Sequence, residues 1–287
     1  MSQTLRMTNR RQFLELMSAA AAATALPRAL RAFPAREKIP RFGVQLYTVR
    51  AEMAKSVEST LEAVAKAGYA EVEFAGYFDR QPAALRAQLD ALRLTAPSTH
   101  VGIEVLEGDW AAQVAVAKVL GHKYLIVPSV NRSKLTAAAD WKALAGRFNV
   151  LGKKAAAEGL RVGYHNHNFE FPPLEGGARP FDILLGETDP ALVDFEMDLY
   201  WISFAGFEPL AYFAKHPGRF KCVHVKDGGP RPQFEMRDVG AGTMDWKAIF
   251  ARHKQAGIEH YFVEHDQPKD AMASIQASAQ YLKQLEF

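Results

Sequence analysis

Eight short apolar runs, each followed by a longer stretch, recur in one series along this chain of 287 residues. They are Arg41–Thr48, Ala70–Ala75, Thr95–His100, Lys123–Pro128, Arg161–Asn166, Leu192–Met197, Phe220–Val225 and His260–His265. Most are rich in Val, Ile, Phe and Tyr, the composition of buried strands. Helical patterns lie between them. Ser56–Gly68 opens on a capping Ser and closes on Gly, and Asp109–Gly121, Asp140–Gly159 and Met244–Gly257 close the same way. A single alternating series requires parallel strands joined by helical crossovers. Eight such units in roughly 250 residues match an α/β fold of one domain, the closed (β/α)8 TIM barrel. The rival, a doubly wound open sheet, more often carries a Gly-rich phosphate turn after its first strand. The stretch "FGVQLYTVR" has no such turn.

The barrel is expected over residues 36–287, with residues 1–35 as a signal peptide and linker. Arg10 and Arg11 precede Phe13-Leu14 and a mild apolar run from Leu16 to Leu26. That is a charged region followed by a short apolar one, a targeting segment rather than part of the fold. The paired arginines resemble a twin-arginine signal, so the export machinery of that route is an expected partner and the periplasm the expected location. The net charge is +3, and part of it comes from arginines ahead of the barrel. No basic stripe remains that would argue for a nucleic-acid partner. Cys222 is the only cysteine, so no intramolecular disulfide can form and the core must carry the stability.

In a barrel of this kind the chemistry sits at the C-terminal ends of the strands and in the loops beyond. The first three units offer Gln45, Glu73 and His100 there. The fifth offers His165, His167 and Glu170 in "VGYHNHNFEF". Asp198 ends the sixth, His224 and Lys226 the seventh, and Glu264 and His265 the eighth. Strands five to eight occupy one arc of the mouth, so Asp198, His224, Glu264 and one group from strand five can converge. Carboxylates with an imidazole suit a divalent cation. Mn²⁺ is the first choice, with Mg²⁺, Co²⁺ and Zn²⁺ as alternatives. Carboxylates gathered without a cation would repel until one took up a proton. Gln45, His100 and Lys226 are expected to line the substrate pocket. Glu73 is open to pairing with a helix arginine, and Lys226 with Asp227 to forming a surface pair. Trp201, Phe204 and Phe207 fit helix packing or a sugar-stacking wall. His122 and His216 read as surface residues.

The pieces "YHNHNFEF", "MDLYW", "HVKD", "DVGAGTMDW" and "VEHD" resemble the xylose-isomerase-like barrel superfamily of sugar isomerases and epimerases, and the resemblance runs from about Phe42 to about Leu282. It implies a (β/α)8 barrel binding one divalent metal, with Asp198, His224 and Glu264 as ligands. In the branch carrying "HNHxxEF" it makes Glu170 the fourth ligand, with His165 and His167 flanking the substrate; His165 as ligand would weaken a two-base mechanism. The reaction implied is proton transfer next to a carbonyl through a metal-stabilised enediolate. Glu264 and Glu170, or His167 in its place, would move the proton. The outcome is isomerisation or epimerisation, or, with a leaving group β to the carbanion, lyase chemistry on a 3-keto-glycoside. No Gly-rich or Arg-rich phosphate cradle is visible, which favours an unphosphorylated sugar. An endonuclease-like metal hydrolase and a non-catalytic sugar-binding barrel are the other readings. Barrels of this kind often pair, so a homodimer is the assembly the resemblance raises.

Overall fold

Alternation along each strand decides where the polar groups of this protein go. The computed structural model describes residues 37–287, which make one compact unit. The export-signal reading of residues 1–35 lies outside the described residues. Eight parallel strands close into a barrel: β1 (Gly43–Gln45), β2 (Glu71–Phe74), β3 (Thr95–His100), β4 (Tyr124–Val127), β5 (Arg161–His165), β6 (Val193–Asp198), β7 (Phe220–Val225) and β8 (His260–Val263). Closure is made by β1, where Gly43 pairs with Glu71 of β2 on one side and Phe262 of β8 on the other. Each expected strand is present, and β6 runs one residue past its expected end to take in Asp198.

Successive side chains on a strand point to opposite faces. Val44, Val72, Leu125, Val162, Phe195, Val223 and Tyr261 belong to the main core, under the helices. Tyr124, Ile126, Cys222 and Phe262 form a separate small cluster on the other strand face, the inside of the barrel. Gly43 and Gly163 leave room for it. A Cβ at Gly43 would stand 2.7 Å from the Phe262 ring, and one at Gly163 would stand 2.5 Å from Ile126 Cδ1. Towards the C-terminal ends of the strands the buried inward positions turn polar: Gln45, Glu73, Ser98, His165, Glu196, Asp198 and His224.

The helices follow local rules. Ser56 Oγ accepts the Ser59 amide and Gly68 takes a left-handed φ of 98°, so Val57–Ala67 is capped at both ends. Pro82, Pro180 and Pro209 each begin a helix, where the missing N–H costs nothing. Pro97 lies within β3, and the pairing with β2 slips there, passing from Glu71–Thr95 to Glu73–Ser98. The Met244–Gly257 pattern is not one helix. It divides into Trp246–Phe250 and His253–Ala256, with His253 Nδ1 2.7 Å from the Phe250 carbonyl that a continuing helix would use.

His122 is not a surface residue. It is 4% exposed, with Nδ1 2.6 Å from the Ala96 carbonyl and Nε2 3.2 Å from the Tyr77 hydroxyl. Burial lowers its pKa to about 4. The unfolded chain would bind this proton near pH 6.5. Stability is therefore fully present above that value and is lost as pH falls towards 4, by about 3 kcal/mol from this residue. Denaturant melts at pH 7.5, 5.5 and 4 on the native protein and on His122→Gln test this. The variant should lose less stability over that interval, and parallel losses would contradict the assignment.

Candidate functional site

The polar inward positions meet where β5, β6, β7 and β8 end. Register alone brings several together: His165 pairs with Glu196, and Asp198 with His224. Asp198 caps the helix that follows it, its Oδ1 accepting the Trp201 amide at 2.8 Å, which leaves Oδ2 to face the barrel mouth. Asn166 ties the tips of β5 and β6 together, its Oδ1 accepting the Asp198 amide at 3.1 Å.

Asp198, His224 and Glu264 offer donor atoms that all lie within 4.8 Å of one another. His224 Nδ1 is 2.7 Å from Glu264 Oε2 and 3.9 Å from Asp198 Oδ2. His165 Nε2 is 3.6 Å from the same Asp198 oxygen. His224 Nδ1 and Asp198 Oδ2 nonetheless make no well-angled hydrogen bond, although the Lys226 ammonium stands 2.8 Å from the same Asp198 oxygen. Short distances at angles unsuited to hydrogen bonding are what donors aimed at a common point produce. Two imidazoles and two carboxylates so arranged fit a divalent cation.

The electrostatics agree. Burial raises the Asp198 carboxyl, and it pushes Glu196 up to about 7, with the charges of Glu264 and Asp198 adding to it. Burial also raises Glu73, and Glu196 adds to that. On Glu264 burial is outweighed by Lys226 and His224, which hold its carboxyl well below the usual range. Burial likewise opposes charge on His224, yet Glu196 and Glu264 keep its imidazole well above the ordinary value. The cluster is short of positive charge, the condition that favours binding a cation.

Lys226 is buried and does not pair with Asp227. Its ammonium lies 2.8 Å from Asp198, 2.6 Å from Glu264 and 2.7 Å from Asp266. Asp227 points the other way, accepting the amides of Gly228, Gly240 and Met244 and the Trp246 indole N–H. Lys226, Glu264, His100, His165 and His167 line a cavity of about 490 Å³, closed also by Tyr47, Asp266 and Gln267. That size falls among small-molecule sites. Burial, and next the charge of Lys226, lowers His167 to about 4. Trp201 stands beside it, ring centres 5.9 Å apart.

Three expected residues are placed elsewhere. Glu170 does not join the converging donors: its Oε1 accepts the Tyr164 hydroxyl at 2.6 Å and its Oε2 the His167 amide at 2.9 Å. Burial raises its carboxyl to about 7 against those two hydrogen bonds. The β5 group that reaches the site is His165. Gln45 is fully buried beneath the cavity, its Nε2 donating to Glu73 at 2.7 Å and its Oε1 accepting the Tyr47 amide. Glu73 pairs with no arginine among the described residues; it takes Gln45, the Ser98 hydroxyl at 2.5 Å and His224 Nε2 at 2.7 Å. Glu196 was not anticipated. It precedes Asp198 by two positions in "VDFEMD", and that period-2 spacing was the signal that could have revealed it.

The sequence matches the family model of the xylose isomerase-like TIM barrel over residues 61–285. Inosose dehydratase 2 of Bacillus cereus is 32% identical over 125 residues, 42% of this chain and 40% of that protein. The chain thus aligns with about two-fifths of that curated relative's length. The crystal structure of a sugar phosphate isomerase/epimerase from Parabacteroides distasonis ATCC 8503 superposes with a TM-score of 0.75 at 30% identity, covering 85% of this chain and 98% of the other. The zinc-binding IolI protein gives a TM-score of 0.68 at 15% identity over 85% of this chain and 96% of that one, a likeness of fold alone.

Proposed function

This chain belongs to the xylose isomerase-like TIM barrel family, and on that premise we propose that it is a divalent-metal-dependent enzyme removing a proton next to the carbonyl of an unphosphorylated keto sugar. One observation carries the reading: Asp198, His224 and Glu264 bring donor atoms within 4.8 Å of one another, His165 Nε2 lies 3.6 Å from the same Asp198 carboxylate, and His165 and Glu264 reach the cavity that His167 and Lys226 also line. Those four residues would hold the cation. When bound, it would polarise the carbonyl and an adjacent hydroxyl, easing the negative charge that proton loss leaves on oxygen. His167, neutral through the neutral pH range, would accept the proton from carbon. Once a cation took the Asp198 and Glu264 oxygens that now hold it, the Lys226 ammonium would be free to donate a hydrogen bond to a substrate oxygen. It is the one permanent cation among the lining residues, and three carboxylates already share it, which disfavours a phosphate. Export by the twin-arginine route, which we infer from Arg10-Arg11, would also bring free sugars rather than sugar phosphates within reach.

Two outcomes share this first step. Elimination, in which the hydroxyl β to the new carbanion leaves as water with the proton that His167 had taken from carbon, needs one base at the β5 end. Isomerisation or epimerisation by two bases would need a second group beside His167; Glu170 is occupied by Tyr164 and the His167 amide, so that role would fall to Glu264, which is already counted among the groups holding the cation. This geometry favours elimination, and the dehydratase relative supports it. Isomerisation is the second reading, with Glu264 and His167 as the pair, supported by the Parabacteroides structure.

The test is proton NMR in D₂O of the Mn²⁺-loaded and metal-free protein with keto sugars and a keto-inositol. Metal-dependent loss of the C–H signal beside the carbonyl is expected, accompanied by an unsaturated ketone if water is eliminated. Cation binding without exchange on any substrate would leave a sugar-binding barrel instead. Cleavage of abasic DNA would favour the hydrolase reading.

A further inference from the structure

We propose that Glu196 and Glu73 are positioning residues that dictate which ring nitrogen His165 and His224 present to the cation; the inference rests on the cation reading above. Both carboxylates are fully buried inside the barrel, and Glu196 lies two residues before Asp198 on β6. His165 Nδ1 lies 3.1 Å from Glu196 Oε2, and His224 Nε2 lies 2.7 Å from Glu73 Oε2, each in hydrogen-bonding geometry. A carboxylate oxygen accepts, so the nitrogen facing it carries the proton. An imidazole that ligates a cation is neutral, with one N–H and one lone pair, so binding would displace the second proton that Glu196 and Glu264 otherwise favour on His224. The lone pairs are thereby assigned to His165 Nε2 and His224 Nδ1. Those are the two nitrogens on the side of Asp198 and Glu264.

The two rings therefore need opposite tautomers, and each has its own acceptor to impose it. Without those acceptors a neutral histidine is free to take either form, and three of the four combinations would turn at least one N–H towards the metal. Further donors hold the acceptors in place. His100 Nε2 reaches Glu196 Oε2 at 2.8 Å, while Ser98 Oγ and Gln45 Nε2 donate to Glu73. The carboxylates also raise the basicity of the rings that bind them.

His100, His165, Glu196 and His224 likewise bring donor atoms within 4.8 Å of one another, which invites a second cation there. The angles favour the carboxylate-histidine pairing. His100 and His165 both aim at Glu196 Oε2 itself, and His224 aims at Glu73, whereas the upper donors meet at short distances without such aim.

The test uses the full-length protein, titrated calorimetrically with Mn²⁺, as the native chain, Glu196→Gln and Glu196→Leu. The Gln variant keeps the shape and an acceptor but loses the charge; the Leu variant loses both. Mn²⁺ affinity should fall about 10-fold in the first and about 100-fold in the second. In the Zn²⁺-loaded native protein, ¹⁵N spectra should show protons on His165 Nδ1 and His224 Nε2. Lower melting temperatures with unchanged Mn²⁺ affinity, or protons on the opposite nitrogens, would overturn the assignment. A native protein that binds neither ion removes the cation reading itself, and that failure is visible before any substitution is made.

Discussion

His224→Ala is expected to reduce turnover at least roughly 10³-fold, the scale of losing a group engaged directly in the chemistry, and to strip the bound metal. This imidazole is the hub of the site. Nδ1 faces Glu264 and Asp198, and Nε2 contacts Glu73 at 2.7 Å and Glu196 at 3.2 Å. Removing it would take one of the proposed ligands from the cation and one proton donor from the carboxylates beneath. The barrel should survive, because its main core lies outside, between strands and helices. Glu264→Gln, which keeps the shape and removes the charge, should have an effect of the same order. Metal content, turnover and far-ultraviolet dichroism together decide the matter. Full turnover in both variants would eliminate the proposed site.

The second large effect is on stability. Asp227 is buried, and its two oxygens accept four N–H groups: Gly228 at 2.9 Å and Met244 at 3.2 Å on Oδ1, Gly240 at 2.9 Å and the Trp246 indole at 2.8 Å on Oδ2. These bonds gather the segment from Asp227 to Trp246 into one folded unit beside the mouth. A Cβ at Gly242 would collide with Asp227 Oδ1 and the Gly228 carbonyl, so the turn closes directly over the carboxylate. Asp227→Ala leaves those donors without their partner, at about 1–3 kcal/mol for each that water cannot reach. The sum should exceed about 4 kcal/mol, beyond the range of most single substitutions. That corresponds to a fall of about 10 °C or more in Tm for a domain of this size. Asp227→Asn should also be strongly destabilising, because one end of the amide turns an N–H₂ against two N–H donors. Calorimetric melts of the three proteins test this, and a change below about 1 kcal/mol in the Ala variant would refute it.

Much of the architecture could be read in one dimension, for a local reason. A strand covered by helices leaves an apolar run, and a helix leaves a capped amphipathic stretch; both are patterns of neighbours. The strand-end rule then placed Asp198, His224 and Glu264 on one arc, and these three do come together. Even Thr95–His100, interrupted by Pro97, is a strand, because the slip in its pairing with β2 absorbs the missing donor.

The rest depended on directions that neighbours along the chain do not specify. Glu170 is close in sequence to His165 and His167, but the Tyr164 hydroxyl and the His167 amide take its carboxylate first. Gln45 and Glu73 end their strands like the other site residues, yet the barrel puts them under the cavity as a hydrogen-bonded floor. Glu196 shares the inward face with Asp198 and sits one layer lower, where it meets His165 and His100 from other strands. The order of strands, the inward alternation and the residue types at the barrel mouth belong to the linear sequence, since each depends on periodicity. Which carboxylates gather at the barrel mouth and which hydrogen-bond the histidines from below was decided by tertiary structure, because hydrogen bonds between separate strands exist only after the barrel closes.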